Sequence, residues 1–432
     1  MTFQNLRIIK YGILAAVVVL QAATMMLPPS WELKPASPSK EATMKAIVYE
    51  THGDASVLRL DNAHPRPIPR GKTKVVVKVM ASSVNPVDFK MRRSPQVPRF
   101  MIPLPKIPGC DMAGVVVKSH KSSKFRKGDR VAAMLPIIGS RWGANAEYVV
   151  VDESFLAKIG DNTDFETAAA YPLVALTVLQ DFRAFGGQEM KNKKILIHAG
   201  AGGVGNFAIQ YAKKVLGMYV ATTASKPKEA LLKELGADLV VDYKTENFEE
   251  IVSDYDVVLD PMSWLYEERT LNSNVLKPTG YYLNVPSSDW SFDGIEKTNG
   301  FNTYRNLVIS KIKNLFQPGS MPKYSMVFVS PNGEDLQLVL DLIDNGTIKP
   351  IIDTKFHFSE AEQAHQYLEQ GRATGKVVLY HTELTEEMQE RAAKAEVAEE
   401  QSHLQQEEQE QEATSPENEK PEKQPSMEEA TE

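Results

Sequence analysis

The sequence predicts an α/β protein in which a doubly wound parallel sheet is inserted into a β-rich module. Three observations support this fold class. An apolar strand at residues 195–197 leads into a glycine-dense turn and then a helix that ends near Gly217. Beyond that helix, strand-like and helix-like segments alternate, which is typical of a parallel sheet covered by helices. On either side of this region short strands are broken by glycine and proline, so we expect the chain to leave the β-rich module and return to it.

The elements follow in chain order. The β-rich module is predicted from strands near residues 74–80, 113–117, 130–134 and 147–151. The parallel sheet is predicted from strands at 195–197, 218–223, 239–241, 257–259 and 280–285, with a helix at 228–235 closed by Gly236. The return of the chain to the β-rich module is predicted from a helix at 334–343 and strands at 348–352 and 376–380.

The glycine turn carries the main functional signal. Gly200, Gly202 and Gly205 keep the G-x-G-x-x-G spacing between a strand and a helix. This arrangement places free backbone N–H groups and the positive end of a helix where a pyrophosphate can bind. A plain tight turn is the alternative, since the glycine spacing alone is weak. The sequence therefore predicts a dinucleotide site here.

The end of the second strand of this sheet bears on which dinucleotide binds. NAD sites usually place a carboxylate there to hold the ribose 2′-hydroxyl. This strand ends in Thr222-Thr223-Ala224-Ser225-Lys226, without an acidic residue. Ser225 and Lys226 suit a 2′-phosphate, although Lys226 taken alone is more typical of a solvated surface lysine. We expect NADPH rather than NADH.

Composition and charge exclude several classes of function. The 432 residues carry a net charge of −7, but residues 382–432 contain 17 acidic and 4 basic residues, so the rest of the chain is mildly basic. The single cysteine, Cys110, excludes an intramolecular disulfide and a multi-cysteine zinc site. No basic cluster with interleaved aromatic residues is present, so nucleic-acid binding has little support.

The two ends of the chain differ from its body. Residues 11–27 carry no charge and are followed by Pro28-Pro29, at the short limit for a membrane-spanning helix. We expect residues 1–30 to be a signal anchor that ties the protein to the endoplasmic reticulum or mitochondrial membrane. The alternatives are a cleaved signal peptide and a mitochondrial presequence. Residues 31–43 are a predicted linker. Residues 382–432 are predicted to be disordered or a solvated helix, either as a plain appendage or for docking a partner.

Several motifs occur in the order seen in one known superfamily. They are Ser83-Val84-Asn85-Pro86-Val87-Asp88, Pro108-Gly109-Cys110-Asp111-Met112-Ala113-Gly114, Lys127-Gly128-Asp129-Arg130-Val131, the AAAYPLVALT stretch at 168–177, and Leu235-Gly236-Ala237-Asp238. Over residues 44–380 the chain resembles the medium-chain dehydrogenase/reductase superfamily. More narrowly, it is similar to the zinc-independent quinone oxidoreductase branch and its reticulon-4-interacting mitochondrial subgroup.

This resemblance implies a domain organisation. A GroES-like catalytic domain would comprise residues 44–167 and 326–381, and a Rossmann domain that binds NADPH would comprise residues 168–325. The resemblance also implies a possible homodimer. Zinc-dependent members place a cysteine and a Gly-His-Glu where this chain has Asn85-Pro86-Val87-Asp88 and Gly109-Cys110-Asp111. We therefore expect no bound zinc, and structural rather than catalytic roles for Cys110 and His198.

The resemblance further implies hydride transfer from NADPH to a quinone or an α,β-unsaturated carbonyl. Asn85 would line the substrate cleft, although an Asn-Pro turn residue is nearly as plausible. Lys90 stands where some relatives place a tyrosine at the substrate, and Asp88 would hold the loop. The implied cofactor-binding residues are Thr177 near the nicotinamide, Gly200, Gly202, Gly203, Val204 and Gly205 at the pyrophosphate, and Ser225, Lys226 and Tyr243 at the 2′-phosphate.

Two other functions remain open. An enoyl-thioester reductase from a neighbouring branch would need activity on acyl thioesters, and the tyrosine donor expected near Asn85 is absent. A non-catalytic NADPH-binding scaffold, with the acidic tail recruiting a partner, is also compatible with the sequence. Two departures from the family's pattern keep the scaffold hypothesis open. They are Lys90 and the segment Pro261-Met262-Ser263-Trp264, where relatives often carry a double glycine.

Overall fold

The structure is a computed structural model that describes residues 43–95, 99, 101–183, 190–262, 266–285 and 322–381. The predicted anchor at residues 1–30 and the predicted tail at residues 382–432 lie outside this range. Within the described residues, no helix is both long enough and apolar enough to cross a membrane.

The β-rich module begins with an antiparallel pair of strands and continues into a larger sheet. The pair consists of β1 (Thr43–Val48) and β2 (Arg59–Pro65). The strands of the larger sheet are β3 (Lys74–Val84), β4 (Asp111–Lys118), β5 (Arg130–Met134), β6 (Tyr148–Asp152), β7 (Leu156–Lys158), β14 (Ile352–His357) and β15 (Lys376–Tyr380). Their order is β14-β15-β3-β4-β5-β7, and β6 also pairs with β3. Because β15 pairs antiparallel with β3, the chain returns to this sheet near its described end.

In the described residues the second sheet is parallel throughout and contains six strands. They are β8 (Lys194–Ile197), β9 (Tyr219–Ala224), β10 (Leu239–Asp242), β11 (Tyr255–Asp260), β12 (Leu276–Asn284) and β13 (Lys323–Met326). Their order is β10-β9-β8-β11-β12-β13. The strand order reverses direction between β8 and β11, and the crevice at such a switch point is where doubly wound sheets bind ligands. The predicted parallel sheet is confirmed.

Nine α-helices accompany the two sheets in the described residues. They are α1 (Pro86–Arg93), α2 (Phe165–Ala170), α3 (Pro172–Phe182), α4 (Gly203–Gln210), α5 (Glu229–Leu235), α6 (Phe248–Ile251), α7 (Glu267–Leu271), α8 (Gly333–Asp344) and α9 (Ala361–Glu369). Two glycines end helices as predicted, because Gly236 (φ 119°) and Gly217 (φ 65°) adopt left-handed backbone angles. The predicted single helix up to Gly217 is interrupted, since α4 passes into a π-helical turn, Tyr211–Val215, closed by a hydrogen bond from Leu216 N–H to Tyr211 C=O.

The strand predicted at residues 348–352 begins later, at Ile352. The backbone N–H and C=O of Lys349 are both bonded to the side-chain amide of Gln210 on α4, each at 2.9 Å. These bonds replace the ladder that a strand would need, so this part of the return segment is held against α4 instead.

An apolar cluster joins the β-rich module to the parallel sheet. It includes Ala113 and Met134 from the β-rich module, Ala168 and Leu176 from the connecting helices, and Ile195 from the parallel sheet, all buried. Since interiors pack at nearly crystalline density, a shared core fixes the two modules relative to one another. The crevice between them therefore has a defined geometry.

Candidate active site

The glycine turn lies at the carboxyl end of β8, at the switch point of the parallel sheet. Gly202 is the N-cap of α4, and residues 201–204 are partly exposed, whereas Gly205 is buried. A Cβ on Gly200 would lie 2.0 Å from Thr222 Oγ1, and one on Gly205 would lie 2.4 Å from the Ala199 carbonyl oxygen. These two glycines are required by close packing. Gly203 and Val204 open α4, so their backbone N–H groups are among the first of the helix, whereas the Gly202 N–H donates to the Ala199 carbonyl oxygen at 3.0 Å. That this turn holds a pyrophosphate stays a prediction.

The residues predicted for the 2′-phosphate are brought to one edge of the sheet. β9 and β10 are parallel neighbours, so Ser225 after β9 and Tyr243 after β10 follow the same ends of adjacent strands. The Lys226 side chain is 74% exposed and its Nζ lies 2.6 Å from Glu229 Oε2. Tyr243 is also exposed. The edge therefore offers a hydroxyl, an ammonium and an aromatic ring, with one carboxylate paired to the ammonium.

Asn85, predicted to line the substrate cleft, is fully buried at the N-cap of α1. Its side-chain Nδ2 donates to Asp111 Oδ2 at 2.8 Å, and its Oδ1 accepts a hydrogen bond from Lys376 Nζ. Its backbone N–H donates to Asp88 Oδ2 at 2.8 Å, so Asp88 caps the helix. Lys90 lies half-buried one turn further along α1. The roles of Asn85 and Lys90 toward substrate stay predictions.

Asp111 and Lys376 form a buried ion pair behind this loop. Lys376 Nζ lies 3.5 Å from Asp111 Oδ2, and the two side chains are 3% and 0% exposed. Burial raises the pKa of Asp111 and lowers the pKa of Lys376, while the opposite charge of each partner works against both shifts. Asp111 also accepts hydrogen bonds from Ser83 Oγ at 2.8 Å and from Leu173 N–H at 2.7 Å.

Asp88 and Cys110 lie next to this pair. Burial, with a contribution from the nearby Asp111 carboxylate, raises the pKa of Asp88 to about 6. Burial also raises the pKa of the Cys110 thiol well above its ordinary value, as do Asp88 and Asp111. A buried thiol among carboxylates is a poor nucleophile. The geometry therefore supports the packing role expected for Cys110.

Thr177 and His198 are both buried near the turn. The Thr177 hydroxyl donates to the Leu173 carbonyl within α3 at 2.8 Å, so its oxygen retains only acceptor capacity. His198 stacks on Tyr266 with ring centroids 4.4 Å apart, and its Nδ1 lies 3.2 Å from Thr223 Oγ1. Burial lowers the pKa of His198 to about 3, so the ring is neutral and packs as part of the core.

Sequence reasoning did not single out Lys376 or the bonding role of Asp111. The signal for Asp111 is its place in Pro108-Gly109-Cys110-Asp111, a motif that supports the family resemblance and the argument about zinc but does not indicate a bonding partner. Lys376 follows Gly375 at the start of a predicted strand, and nothing local marks it as buried. Their pairing joins positions 265 residues apart.

In the part of the chain that is described, no group of three or more His, Cys, Asp or Glu side chains is arranged to hold a metal ion. This finding concerns only those residues.

Two protein-family models match parts of the chain. Residues 71–161 match the alcohol dehydrogenase GroES-like domain, and residues 235–379 match the family described as zinc-binding dehydrogenase. The chain is similar to the chloroplastic NADPH-dependent alkenal/one oxidoreductase of Arabidopsis thaliana, at 36% identity over 78% of this chain and 79% of the relative. It is also similar to the mitochondrial NAD(P)H oxidoreductase RTN4IP1 of Danio rerio, at 30% identity over 79% of this chain and 92% of the relative.

Among solved structures, the chain is similar to the quinone oxidoreductase from Coxiella burnetii. The TM-score is 0.66 at 30% sequence identity, over 78% of this chain and 99% of that one.

Proposed function

Since the chain belongs to the quinone oxidoreductase branch of the medium-chain dehydrogenase/reductase superfamily, we propose that it reduces a quinone or an α,β-unsaturated carbonyl with NADPH. The observation that carries the proposal is the glycine turn at the switch point, with no carboxylate at the end of β9. The names of the similar oxidoreductases, which act on alkenals, enones and quinones, support the same substrate class. We further propose that the reaction needs no zinc.

The residues present fit NADPH. Gly200 and Gly205 form a turn that any Cβ would block, and Gly202, Gly203 and Val204 would hold the pyrophosphate. Ser225, Lys226 and Tyr243 would hold the 2′-phosphate, with Lys226 exchanging Glu229 for phosphate. Thr177 would lie near the nicotinamide. When bound, NADPH supplies the hydride.

The chain's own part in the reaction is positioning and stabilisation of charge. Reduction of a quinone or enone builds negative charge on the substrate carbonyl oxygen, and hydrogen-bond donors aimed at that oxygen lower the barrier. We propose Lys90, half-buried on α1, as the donor to that oxygen, because it stands where some relatives place a tyrosine at the substrate. Asp88 holds the start of the helix that carries Lys90.

The proposal is tested on the purified full-length chain. Fluorescence titration with NADPH and NADH is followed by an assay of NADPH oxidation with a panel of quinones, enones and acyl thioesters. We expect NADPH to bind at least about tenfold more tightly than NADH, about 1.4 kcal/mol, and quinones or enones to be turned over. Turnover of acyl thioesters alone would favour the enoyl-thioester reductase. Tight NADPH binding without any turnover would favour the scaffold, and no binding would overturn the proposal.

The role of Lys90 has its own test. Replacing Lys90 with methionine keeps the length of the side chain and removes its donor, so kcat should fall about 100-fold with little change in NADPH affinity. Lys78→Met on β3, where the lysine is exposed, is the matched control and should retain kcat. Unchanged kcat in Lys90→Met would exclude Lys90 as the donor.

We also propose that residues 1–30 target or anchor the protein at a membrane; the name of the RTN4IP1 relative supports the mitochondrion, whereas the alkenal/one relative is named chloroplastic. Fractionation of cells that express the full chain, compared with a chain lacking residues 1–30, would test this. A homodimer is proposed as well, and light scattering of the purified chain measures it.

A further inference from the structure

Lys376 joins three segments of the chain that are distant in sequence. Its ammonium donates to Asn85 Oδ1 at the start of α1 and lies 3.5 Å from Asp111 Oδ2 on β4. Its own backbone opens β15, the strand that returns to the first sheet. All three side chains are buried, so these contacts are shielded from water.

The ammonium fixes the orientation of the Asn85 amide. Asn85 Oδ1 faces the donor Lys376, while Asn85 Nδ2 faces the acceptor Asp111. Rotating the amide by half a turn would bring donor against donor and acceptor against acceptor, which is costly for buried groups. Asn85 directly precedes Pro86, the first residue of α1. Lys376 therefore fixes the start of the helix that carries Lys90.

The same lysine lies against the glycine turn. Gly375 N–H donates to the Ala201 carbonyl at 2.8 Å, and Gly202 and Gly375 form an isolated parallel bridge. A Cβ on Gly203 would lie 2.9 Å from Lys376 Cδ, so the lysine stem lies directly behind the first residue of α4. A shift of the glycine turn would displace the Lys376 side chain, because there is no free space between them.

We propose that Lys376 is a positioning residue that couples occupancy of the glycine turn to the start of α1. A buried ion pair is weak support for stability, since well-packed apolar residues often serve as well. Lys376 contacts both the glycine turn and the start of α1, which carries Lys90. We therefore assign its charge a role in positioning these two segments rather than in stability. The inference rests on the proposed function in one respect, namely that NADPH binds at the turn.

The test needs a variant that folds. Lys376→Met alone leaves the Asp111 charge buried without its partner, which is strongly destabilising. The double variant Asp111→Asn with Lys376→Met removes both charges. The amide introduced at position 111 would keep an oxygen to accept the hydrogen bond from Leu173 N–H. Its nitrogen could donate to Asn85 Oδ1 once the Asn85 amide has rotated. Ser83→Ala is the matched control, because it removes one hydrogen bond to Asp111 and leaves the Lys376–Asn85 contact in place.

Amide hydrogen exchange of the full chain is followed with and without saturating NADPH. We expect NADPH to slow exchange in residues 86–93 about fivefold or more in the original chain and in Ser83→Ala. In the double variant, NADPH should bind but leave exchange there unchanged. Equal protection of these residues in the double variant, or no protection in the original chain, would overturn the inference.

Turnover is measured in parallel and separates this inference from the proposed function. If the double variant keeps its melting temperature but its kcat falls about tenfold, Lys376 has a positioning role. If kcat and the protection of residues 86–93 by NADPH are both unchanged, the Asp111–Lys376 pair is purely structural. An original chain that couples NADPH to α1 but reduces no acceptor would refute the reductase and leave the inference standing.

Discussion

The substitution Gly205→Ala tests whether the glycine turn is built by close packing. The new Cβ would lie 2.4 Å from the Ala199 carbonyl oxygen and 2.6 Å from Gly200 Cα. Both are backbone atoms, so the turn itself must move. The Ala199 carbonyl also accepts the hydrogen bond from Gly202 N–H at 3.0 Å, and that bond would be displaced.

The loss of folding stability in Gly205→Ala is the sum of opposing effects. Overpacking costs about 1–3 kcal/mol, and a lost backbone hydrogen bond costs about 1 kcal/mol. Alanine in a helix regains up to about 1 kcal/mol relative to glycine. We therefore expect a net loss of about 2 kcal/mol. For a domain of about 150–250 residues this lowers the melting temperature by about 4–8 °C.

Gly202→Ala is the matched control in the same turn. Its Cβ would meet only the Ala199 oxygen, at 3.4 Å, and its φ of −76° suits any residue. We expect this variant to lose less than about 1 kcal/mol but to bind NADPH more weakly, since Gly202 borders the proposed pyrophosphate position. Differential scanning calorimetry and NADPH titration measure both quantities. If Gly205→Ala melts like the original chain, or if Gly202→Ala is equally destabilised, the packing argument is wrong.

Three further predictions concern single side chains. Ala199 has φ 52°, so Ala199→Gly should stabilise the fold by about 0.5–1 kcal/mol, seen as a higher melting temperature; a lower one would contradict the assigned strain. Burial raises the pKa of Asp88 from 3.8 to about 6, so its stabilising contribution is complete below about pH 3.8 and is lost as the pH rises through about 6, by up to about 3 kcal/mol. Asp88→Asn keeps an acceptor for the Asn85 N–H and should flatten this fall in melting temperature, whereas an unchanged pH profile would exclude Asp88 as its source. Lys226→Ala should weaken NADPH binding about tenfold and leave NADH binding unchanged, and equal loss for both cofactors in titrations would remove Lys226 from the 2′-phosphate site.

Local patterns predicted most of the secondary structure near the site. The residues of β8, the glycine turn and the stop at Gly217 are adjacent in sequence, and their order reflects backbone preferences that act over a few residues. The strands β9 and β11 lie within about two residues of their predicted positions, because both are short, mostly buried segments rich in β-branched residues. The start of β14 was misplaced, since Gln210, far away in sequence, takes the backbone groups of Lys349.

The sequence by itself determined that a glycine turn lies between a strand and a helix, which residues compose it, and that the end of β9 carries no acid, because each is a property of neighbouring residues. Only the tertiary structure decided that Asn85 is buried and that Lys376 holds its amide beside Asp111. Their sequence separations of 265 and 291 residues are bridged by the return of β15 to β3. Burial and pairing of charges depend on what the folded chain brings together, and no local pattern encodes that.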